Sequence, residues 1–203
     1  MTGIILAGGK NTRIRTNKAL LKIPSSEAGF KEKTFIRIIV EKLRGIFNEI
    51  IIVTNNPEEH KALRVKLVKD IIPDKGSLGG LYSGLVHSGT SHSFVVAVDM
   101  PFLNPDLIKY MKKFCPKYDV ITPKIKGIYE PLHTIYSKNC LPHIEKQIQD
   151  NNLRIIEFFP KLRVKEIKEP TIRKFDPELL SFFNINTLED YQKARELTSR
   201  VSL

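Results

Sequence analysis

Short apolar runs alternate with stretches of helical periodicity along the first two thirds of the chain. The apolar runs are rich in β-branched residues and end in Gly, Asn or Asp, which is typical of buried parallel strands. They cover residues 3–7, 49–54, 65–68, 94–98 and 119–122. Apolar residues at helical spacing predict helices over residues 34–47, 58–63 and 104–114, and a further helix that follows a loop at 76–80 and ends near residue 87.

The last third of the chain is less regular. Its pattern predicts a strand over residues 132–136, a helix over 138–149, a strand over 162–167 and a final short strand over 182–186. A helix is expected from Thr187, because Thr187 and Asp190 form a variant of the S/T-x-x-E capping box. Alternating strands and helices indicate βαβ units. The sequence therefore predicts a three-layer α/β fold with a mainly parallel, Rossmann-like sheet, and 203 residues suit one domain over residues 1–203.

Ligands of such sheets bind beyond the carboxyl ends of the strands. This rule predicts a site built from the loops at residues 8–18, 54–56 and 70–80 and from Asp99, which follows the strand at 94–98. Asp99 precedes a Pro, so it could be a local turn residue. A strand-end carboxylate is equally suited to Mg²⁺, which prefers one or two carboxylates together with phosphate oxygens and water.

The first loop has the chemistry that a triphosphate requires. Two glycines leave backbone N–H groups accessible, and four cationic side chains follow. These residues are Gly8, Gly9, Lys10, Arg13, Arg15 and Lys18. The loop matches neither G-x-G-x-x-G nor the Walker A pattern, which disfavours dinucleotide redox enzymes and P-loop ATPases. Taken alone, the same residues could form an ordinary turn with solvated lysines.

Composition narrows the possible ligands and sites. The net charge of +11 favours anionic ligands such as nucleotides or nucleic acid, but the basic residues are dispersed as on a solvated surface. Cys115, Cys140 and the five histidines lack zinc-ligand spacing, so we interpret them as structural. Neither a signal-peptide pattern nor an apolar run of membrane-spanning length occurs, so the expected location is the cytoplasm and no membrane partner is expected.

Five motifs in order resemble the molybdenum cofactor guanylyltransferase family, within the nucleotidyltransferases of the nucleotide-diphospho-sugar transferase fold. The resemblance covers nearly the whole chain. The motifs are Leu6-Ala7-Gly8-Gly9 with Arg13 and Lys18, Gly76-Ser77-Leu78-Gly79-Gly80, Asp99-Met100-Pro101-Phe102-Leu103, Glu130-Pro131-Leu132 and Asn184-Ile185-Asn186-Thr187. The opening motif is shared by cytidylyl- and uridylyltransferases, whereas the Asp99 and Asn184 segments narrow the choice.

The resemblance implies an enzyme that uses Mg²⁺ to transfer GMP from GTP to molybdopterin and releases pyrophosphate. Molybdopterin-delivering or accepting proteins are implied as possible partners, and nucleic acid is not. Carried over by position, the nucleotide-binding residues are Leu6, Ala7, Gly8, Gly9, Lys18, Thr54, Asp70 and Asp99, the catalytic residues are Arg13, Lys18 and Asp99, the metal ligand is Asp99, and the acceptor-binding residues are Gly79, Asn184 and Asn186. Asn186 could instead assist at the metal. As a hypothesis, Asp70 accepts two hydrogen bonds from the N1–H and N2–H₂ edge of guanine.

The loop departs from the family pattern at Arg15 and Asn17, which replace the usual Gly and Asp, and Ser77 replaces a usual Pro. These changes bear on substrate identity more than on reaction class. One alternative is a related nucleotidyltransferase that uses CTP or another NTP with a different phosphorylated acceptor. A more distant alternative is a non-catalytic basic RNA-binding protein, although the aromatic pattern of RNA-stacking sheets is absent.

Overall fold

A computed structural model describes residues 1–8, 18–24 and 32–198. Within this part of the chain, eight strands form one sheet in the order β10-β7-β9-β6-β1-β4-β5, with β8 paired to β7. The strands are β1 (Thr2–Leu6), β4 (Glu49–Val53), β5 (Lys66–Val68), β6 (His92–Ala97), β7 (Val120–Ile125), β8 (Ile128–Tyr129), β9 (His133–Ser137) and β10 (Val164–Lys168). β5, β4, β1 and β6 pair in parallel, as β10 does with β7, whereas β9 is antiparallel to both of its neighbours.

Helices cover both faces of the sheet. They are α1 (Phe35–Arg44), α2 (Gly76–His87), α3 (Pro105–Lys112), α4 (Leu141–Gln149), α5 (Glu169–Ile172) and α6 (Leu188–Thr198). α1, α3 and α5 pack with Ile5 on one face, and α2 and α4 pack with Ile4 and Leu6 on the other. The period-2 alternation of β1 thus places successive side chains in opposite cores. The three-layer, mainly parallel α/β fold predicted from the sequence is confirmed.

A third apolar cluster lies at the edge of these layers. It joins the antiparallel hairpin of β2 (Lys22–Pro24) and β3 (Glu32–Thr34) to α1 and α6. Its buried members are Ile23, Phe35, Ile38, Phe102, Ile185 and Ala194. The hairpin was not predicted, because its strands have only three residues each and no clear apolar alternation. It follows the turn that begins at Lys18, so it anchors the end of the cationic loop.

The close approach of α2 to the sheet explains why this helix is rich in small residues. A Cβ atom at Gly84 would lie 2.6 Å from the Cγ2 atom of Ile4 and 3.3 Å from the Cγ2 atom of Val53. Both side chains are buried in the sheet. Glycine at this position is therefore required by packing rather than by backbone conformation.

Two predictions of secondary structure are wrong. Residues 76–80, predicted as a loop, form the first turn of α2. Among these five residues only Gly76 has a positive φ, and the residues after it have helical backbone. Residues 182–186, predicted as a final strand, follow a 3-10 turn at Leu180–Phe182 and have no strand partner in the described structure. Phe183 and Ile185 pack in the third cluster and Phe182 packs against the first core instead, which accounts for the strand-like pattern.

The two cysteine thiols and His133 fit structural roles. Burial raises the pKa of the Cys140 thiol to about 12 and that of Cys115 to about 11, so both resist ionisation. His133 is fully buried between the rings of Phe94 and Phe182, and burial lowers its pKa to about 3. None of the described helices has the length and apolar character needed to cross a membrane.

Candidate active site

Lys18, Asp99 and Asn186 meet although they are far apart in sequence. The Nζ atom of Lys18 donates a hydrogen bond to Oδ1 of Asn186 at 2.6 Å and lies 3.2 Å from Oδ2 of Asp99. The Lys18 and Asp99 side chains are 17% and 20% exposed, so the ion pair is sheltered yet reachable from solvent. The arrangement brings together one cation, one anion and one amide, each predicted as a site residue.

The position of Asp99 follows from the end of β6. The backbone N–H of Val98 donates to the carbonyl of Leu6, which holds the end of β6 beside the end of β1. The chain then turns, with the Met100 N–H donating to the carbonyl of Ala97, and the carbonyl of Asp99 accepts from the Ile185 N–H. Asp99 is therefore fixed at the carboxyl edge of the parallel strands, where ligands of such sheets bind.

One oxygen of Asp99 has no partner among the described residues. Oδ1 is buried, and among the described residues no hydrogen-bond donor reaches it. A buried carboxylate oxygen without a donor or cation is costly. Its chemistry fits a ligand of a divalent metal ion. No group of three or more His, Cys, Asp or Glu side chains suited to a metal exists in the described parts of the chain, so most of the ligands of such an ion would have to be phosphate oxygens and water.

Asn186 is held by the N-terminus of α6. The carboxylate of Asp190 accepts hydrogen bonds from the N–H groups of Asn186, at 3.0 Å, and of Thr187, at 2.8 Å. The N–H of Asp190 donates in return to the Thr187 hydroxyl, so the predicted capping box is present. The Asn186 N–H lowers the pKa of Asp190, with further contributions from Thr187 and from the nearby charge of Lys18.

The start of the glycine loop lies beside this cluster. The N–H of Ala7 donates to the carbonyl of Val53, and the side chain of Leu6 is buried against α2. Gly8 is exposed, and no described atom lies within 4 Å of the position that a Cβ atom would take there. The predicted residues Gly9 and Arg13, like Lys10, Arg15 and Asn17, lie outside the described part of the structure.

Asp70 and Thr54 lie beyond β5 and β4. The side-chain amide of Asn55 donates to Oδ2 of Asp70 at 3.0 Å, and a Cβ at Gly80 would lie 3.8 Å from Oδ1 of Asp70 and 3.3 Å from Leu6. Asp70 is thus close to the end of β1. Thr54 is buried, and its hydroxyl accepts from the Asn56 N–H, so it shapes the turn after β4.

The remaining predicted residues are less directly connected to Lys18. Gly79 is buried inside α2, where a Cβ would lie 2.8 Å from the Cβ of Lys75, so packing already accounts for this glycine. Asn184 is exposed two residues before Asn186. Glu130 lies in the turn before β9, whose Leu132 carbonyl accepts from the Ala97 N–H, and burial raises the pKa of Glu130.

Two residues of the site went unrecognised by sequence reasoning. Asn55 was included only as one residue of the predicted site loop 54–56, with no role of its own, and Asp190 was interpreted only as a helix cap. The contacts that give them significance join segments distant in the sequence, namely Asn55 to Asp70 and the α6 cap to Lys18 through Asn186. The Asn55-Asn56 pair at a predicted strand end was the available signal for the first of them.

Comparisons with known proteins agree with the fold. Residues 3–161 match the family model described as the MobA-like NTP transferase domain. A protein of Natranaerobius thermophilus named "Probable molybdenum cofactor guanylyltransferase" is 38% identical over 202 residues, which cover 97% of this chain and 95% of that protein.

Solved structures share the architecture. The molybdopterin-guanine dinucleotide biosynthesis protein A of Archaeoglobus fulgidus superposes with a TM-score of 0.83 and 29% identity, covering 99% of this chain and 100% of the other. A Mycobacterium tuberculosis protein in complex with manganese has a TM-score of 0.63 and 15% identity, covering 96% and 97% of the two chains, and shows a likeness of fold alone. With the family model and the relative in agreement, the chain belongs to the molybdenum cofactor guanylyltransferase family of MobA-like NTP transferases and is a nucleotidyltransferase.

Proposed function

We propose that this enzyme uses Mg²⁺ to transfer GMP from GTP to molybdopterin and releases pyrophosphate. The names of its relatives support the substrates. The observation that carries the proposal is the cluster of Lys18, Asp99 and Asn186 at the carboxyl edge of the parallel strands. One buried oxygen of Asp99 in this cluster has no hydrogen-bond partner in the part of the chain that the structure describes. This cluster offers a cation for phosphate and a carboxylate for a metal within a few ångströms of each other.

The triphosphate is assigned to the space between the end of β1 and Lys18. Gly8 presents its backbone without a side chain, and no described atom lies within 4 Å of the position that a Cβ atom would take there. Lys18 supplies a positive charge from the opposite end of the loop. Backbone N–H groups and an ammonium group together stabilise phosphate oxygens. Arg13, which lies outside the described residues, is proposed as a second cation for the same group.

Asp99 is the proposed protein ligand of the metal through Oδ1. Asn186, whose Oδ1 atom already contacts Lys18, is the nearest amide that could assist there. A bound Mg²⁺ would supply electrostatic stabilisation of charge on the phosphate oxygens. Lys18 contributes to the same end without a metal, because its ammonium is held at the edge of the site by Asp99 and Asn186.

The proposed reaction requires little proton transfer by the protein. A phosphate oxygen of the acceptor attacks the α-phosphorus of GTP, a new P–O bond forms, and the bond to the β-phosphate oxygen breaks so that pyrophosphate leaves. The acceptor phosphate is already anionic at neutral pH, so a general base is unnecessary. The protein's task is to align the two phosphates and stabilise the charge that develops between them.

Asp70 is the residue that we propose to recognise the guanine base. Its carboxylate can accept from both N1–H and N2–H₂ of guanine, a pattern of donors that adenine, cytosine and uracil lack. Asn55 donates to Oδ2 of Asp70 and thereby orients the carboxylate, while Oδ1 faces the region of Gly80 and Leu6. Gly79, Asn184 and Asn186 remain proposed contacts of the acceptor, and proteins that deliver or accept molybdopterin remain proposed partners.

The test is product formation with a panel of nucleotides. Purified protein is incubated with molybdopterin, Mg²⁺ and GTP, CTP, ATP or UTP, and both pyrophosphate and the mass of the product are measured. We expect pyrophosphate only with GTP, in equal amount to a product heavier by one GMP unit. A product formed from CTP would instead identify the chain as a cytidylyltransferase. RNA binding that depends steeply on salt concentration, without any product, would overturn the enzymatic proposal.

A further inference from the structure

We propose that Asp190 is a positioning residue of the active site, which sets the nucleotide-binding position of Lys18 through Asn186. The proposal rests on the assignment of Lys18 to the phosphates. Asp190 itself is separated from Lys18 by one intervening residue, so its effect is indirect. Its role as the cap of α6 is a structural role, and the inference is that this cap also has a consequence for substrate binding.

The first step is that the position of Asn186 depends on Asp190. Residues 183–187 belong to no regular element, so backbone hydrogen bonds of a helix or sheet do not fix Asn186. Two contacts fix it instead: the N–H of Ile185 donates to the carbonyl of Asp99, and the N–H of Asn186 donates to the carboxylate of Asp190. Removal of the Asp190 carboxylate leaves one of these anchors.

The second step is that the position of Lys18 depends on Asn186. Lys18 has four rotatable side-chain bonds, and its ammonium would lose its orientation without partners. The 2.6 Å contact with the amide oxygen of Asn186 is shorter than the 3.2 Å contact with Asp99. When a metal and phosphates engage Asp99, Asn186 is the partner that can keep Lys18 aimed at the phosphates.

A third observation joins the same helix to the backbone beyond Lys18. The hydroxyl of Tyr191 donates to the carbonyl of Lys22, and Arg195 pairs with Glu32 of the hairpin at 2.8 Å. The start of α6 therefore holds the side chain of Lys18 indirectly, through Asn186. The same helix contacts the main chain at Lys22 directly. Asp190 lies between these contacts and maintains the start of the helix.

The experiment is a double-mutant cycle on nucleotide binding. The dissociation constant of GTP with Mg²⁺ is measured for wild type, Asp190→Ala, Lys18→Met and the double variant. We expect Asp190→Ala to weaken binding roughly tenfold in the wild-type background and to have little further effect in the Lys18→Met background, because coupled residues are not additive. Asp190→Asn, which keeps an oxygen acceptor for the two N–H groups, should recover most of the affinity.

Asn104→Ala is the matched control. The side chain of Asn104 caps α3 by accepting hydrogen bonds from the N–H groups of Asp106 and Leu107. Its replacement by Ala therefore removes a comparable helix cap. We expect it to lower the melting temperature as Asp190→Ala does and to leave the GTP dissociation constant unchanged. A tenfold effect of Asp190→Ala that persists in the Lys18→Met background, or no effect in wild type, overturns the inference. If Lys18→Met itself leaves GTP binding unchanged, the assigned role of Lys18 is wrong instead.

Discussion

At the scale of single residues, the site depends on a few polar groups whose partners are now defined. Lys18, Asp99 and Asn186 were each predicted from motifs, and the structure places the Lys18 ammonium within hydrogen-bond distance of both other side chains. What the motifs could not provide is the unpaired oxygen of Asp99, because burial and the lack of a donor depend on the packing of β6 against the chain around Ile185.

Asp70 gives a prediction for base selectivity. Asp70→Asn replaces one acceptor oxygen with a donor, which would oppose the donor edge of guanine. We expect kcat/KM for GTP to fall by about 10- to 100-fold, in line with the loss of charge-assisted hydrogen bonds, while the melting temperature changes little. Steady-state kinetics with GTP measure this loss, and equilibrium titrations with GTP and ATP measure the selectivity of binding. Asp150→Asn, at an exposed carboxylate that pairs with Lys146 on α4, is the control of equal charge change. Equal losses for GTP and ATP would contradict base recognition by Asp70.

His133 gives a prediction for stability as a function of pH. Its ring is fully buried, neither nitrogen has a hydrogen-bond partner in the described structure, and its folded pKa is about 3 against 6.5 for an ordinary His. As the pH falls below 6.5, His133 becomes protonated in the unfolded chain but stays neutral in the native protein. The free energy of unfolding therefore decreases. The slope reaches about 1.4 kcal/mol per pH unit for each such proton.

His133→Leu should therefore flatten the loss of stability between pH 6.5 and pH 5, a window above the ordinary pKa of Asp and Glu carboxyls, among which Glu130 has a raised pKa. Urea unfolding at several pH values measures the slope. Burial also lowers the pKa of His60, so part of the slope should remain in the variant and disappear when His60 is replaced too. An unchanged slope in His133→Leu would show that this ring does not resist protonation.

At the scale of elements, sequence patterning was most successful where burial is simple. The parallel strands β1, β4 and β6 are buried on both faces, and their continuous apolar runs predicted their bounds to within two residues. The pattern failed at residues 182–186, where apolar side chains fill the third cluster without strand pairing. It also missed the hairpin of β2 and β3, whose pairing is stabilised by contacts with α6.

Two glycines that look alike in sequence should respond differently to the same substitution. Gly84→Ala places a Cβ 2.6 Å from a buried methyl group of Ile4, so overpacking between α2 and β1 should cost about 1 to 3 kcal/mol. Gly8→Ala meets no described atom and should leave stability within about 0.5 kcal/mol while it weakens GTP binding. Urea unfolding and nucleotide titration of both variants check this. Loss of stability in Gly8→Ala, or none in Gly84→Ala, would contradict the geometry.

At the scale of the whole molecule, we propose that the chain forms one cooperative domain. The two main cores share every long strand of the sheet, and the third cluster is tied to the end of β6 by the Ile185 N–H, which donates to the Asp99 carbonyl. Unfolding should therefore be a single transition. Calorimetry and circular dichroism should give the same midpoint, with equal calorimetric and van't Hoff enthalpies. A separate early transition, removed by truncation of α6, would show that the hairpin and α6 unfold independently.

The charge of the molecule suits its proposed substrates. The net charge of +11 attracts both GTP and a phosphorylated acceptor from solution, but it does not select between anions. Selection is assigned to Asp70 and to the cluster around Lys18. The sequence therefore predicted the reaction class and the residues that meet at one edge of the sheet, where we propose that the reaction occurs. The hydrogen bonds that connect α6 to these residues required the three-dimensional fold.

The most direct test of the account is the transfer rate of Asp99→Asn under single-turnover conditions with saturating GTP and Mg²⁺. The variant keeps the size of the side chain and removes the charge that we assign to the metal. We predict a rate about 100- to 1000-fold below wild type, with the melting temperature within about 4 °C and Asp150→Asn unaffected. A folded Asp99→Asn enzyme that retains the wild-type rate and the same dependence on Mg²⁺ concentration would contradict the central claim.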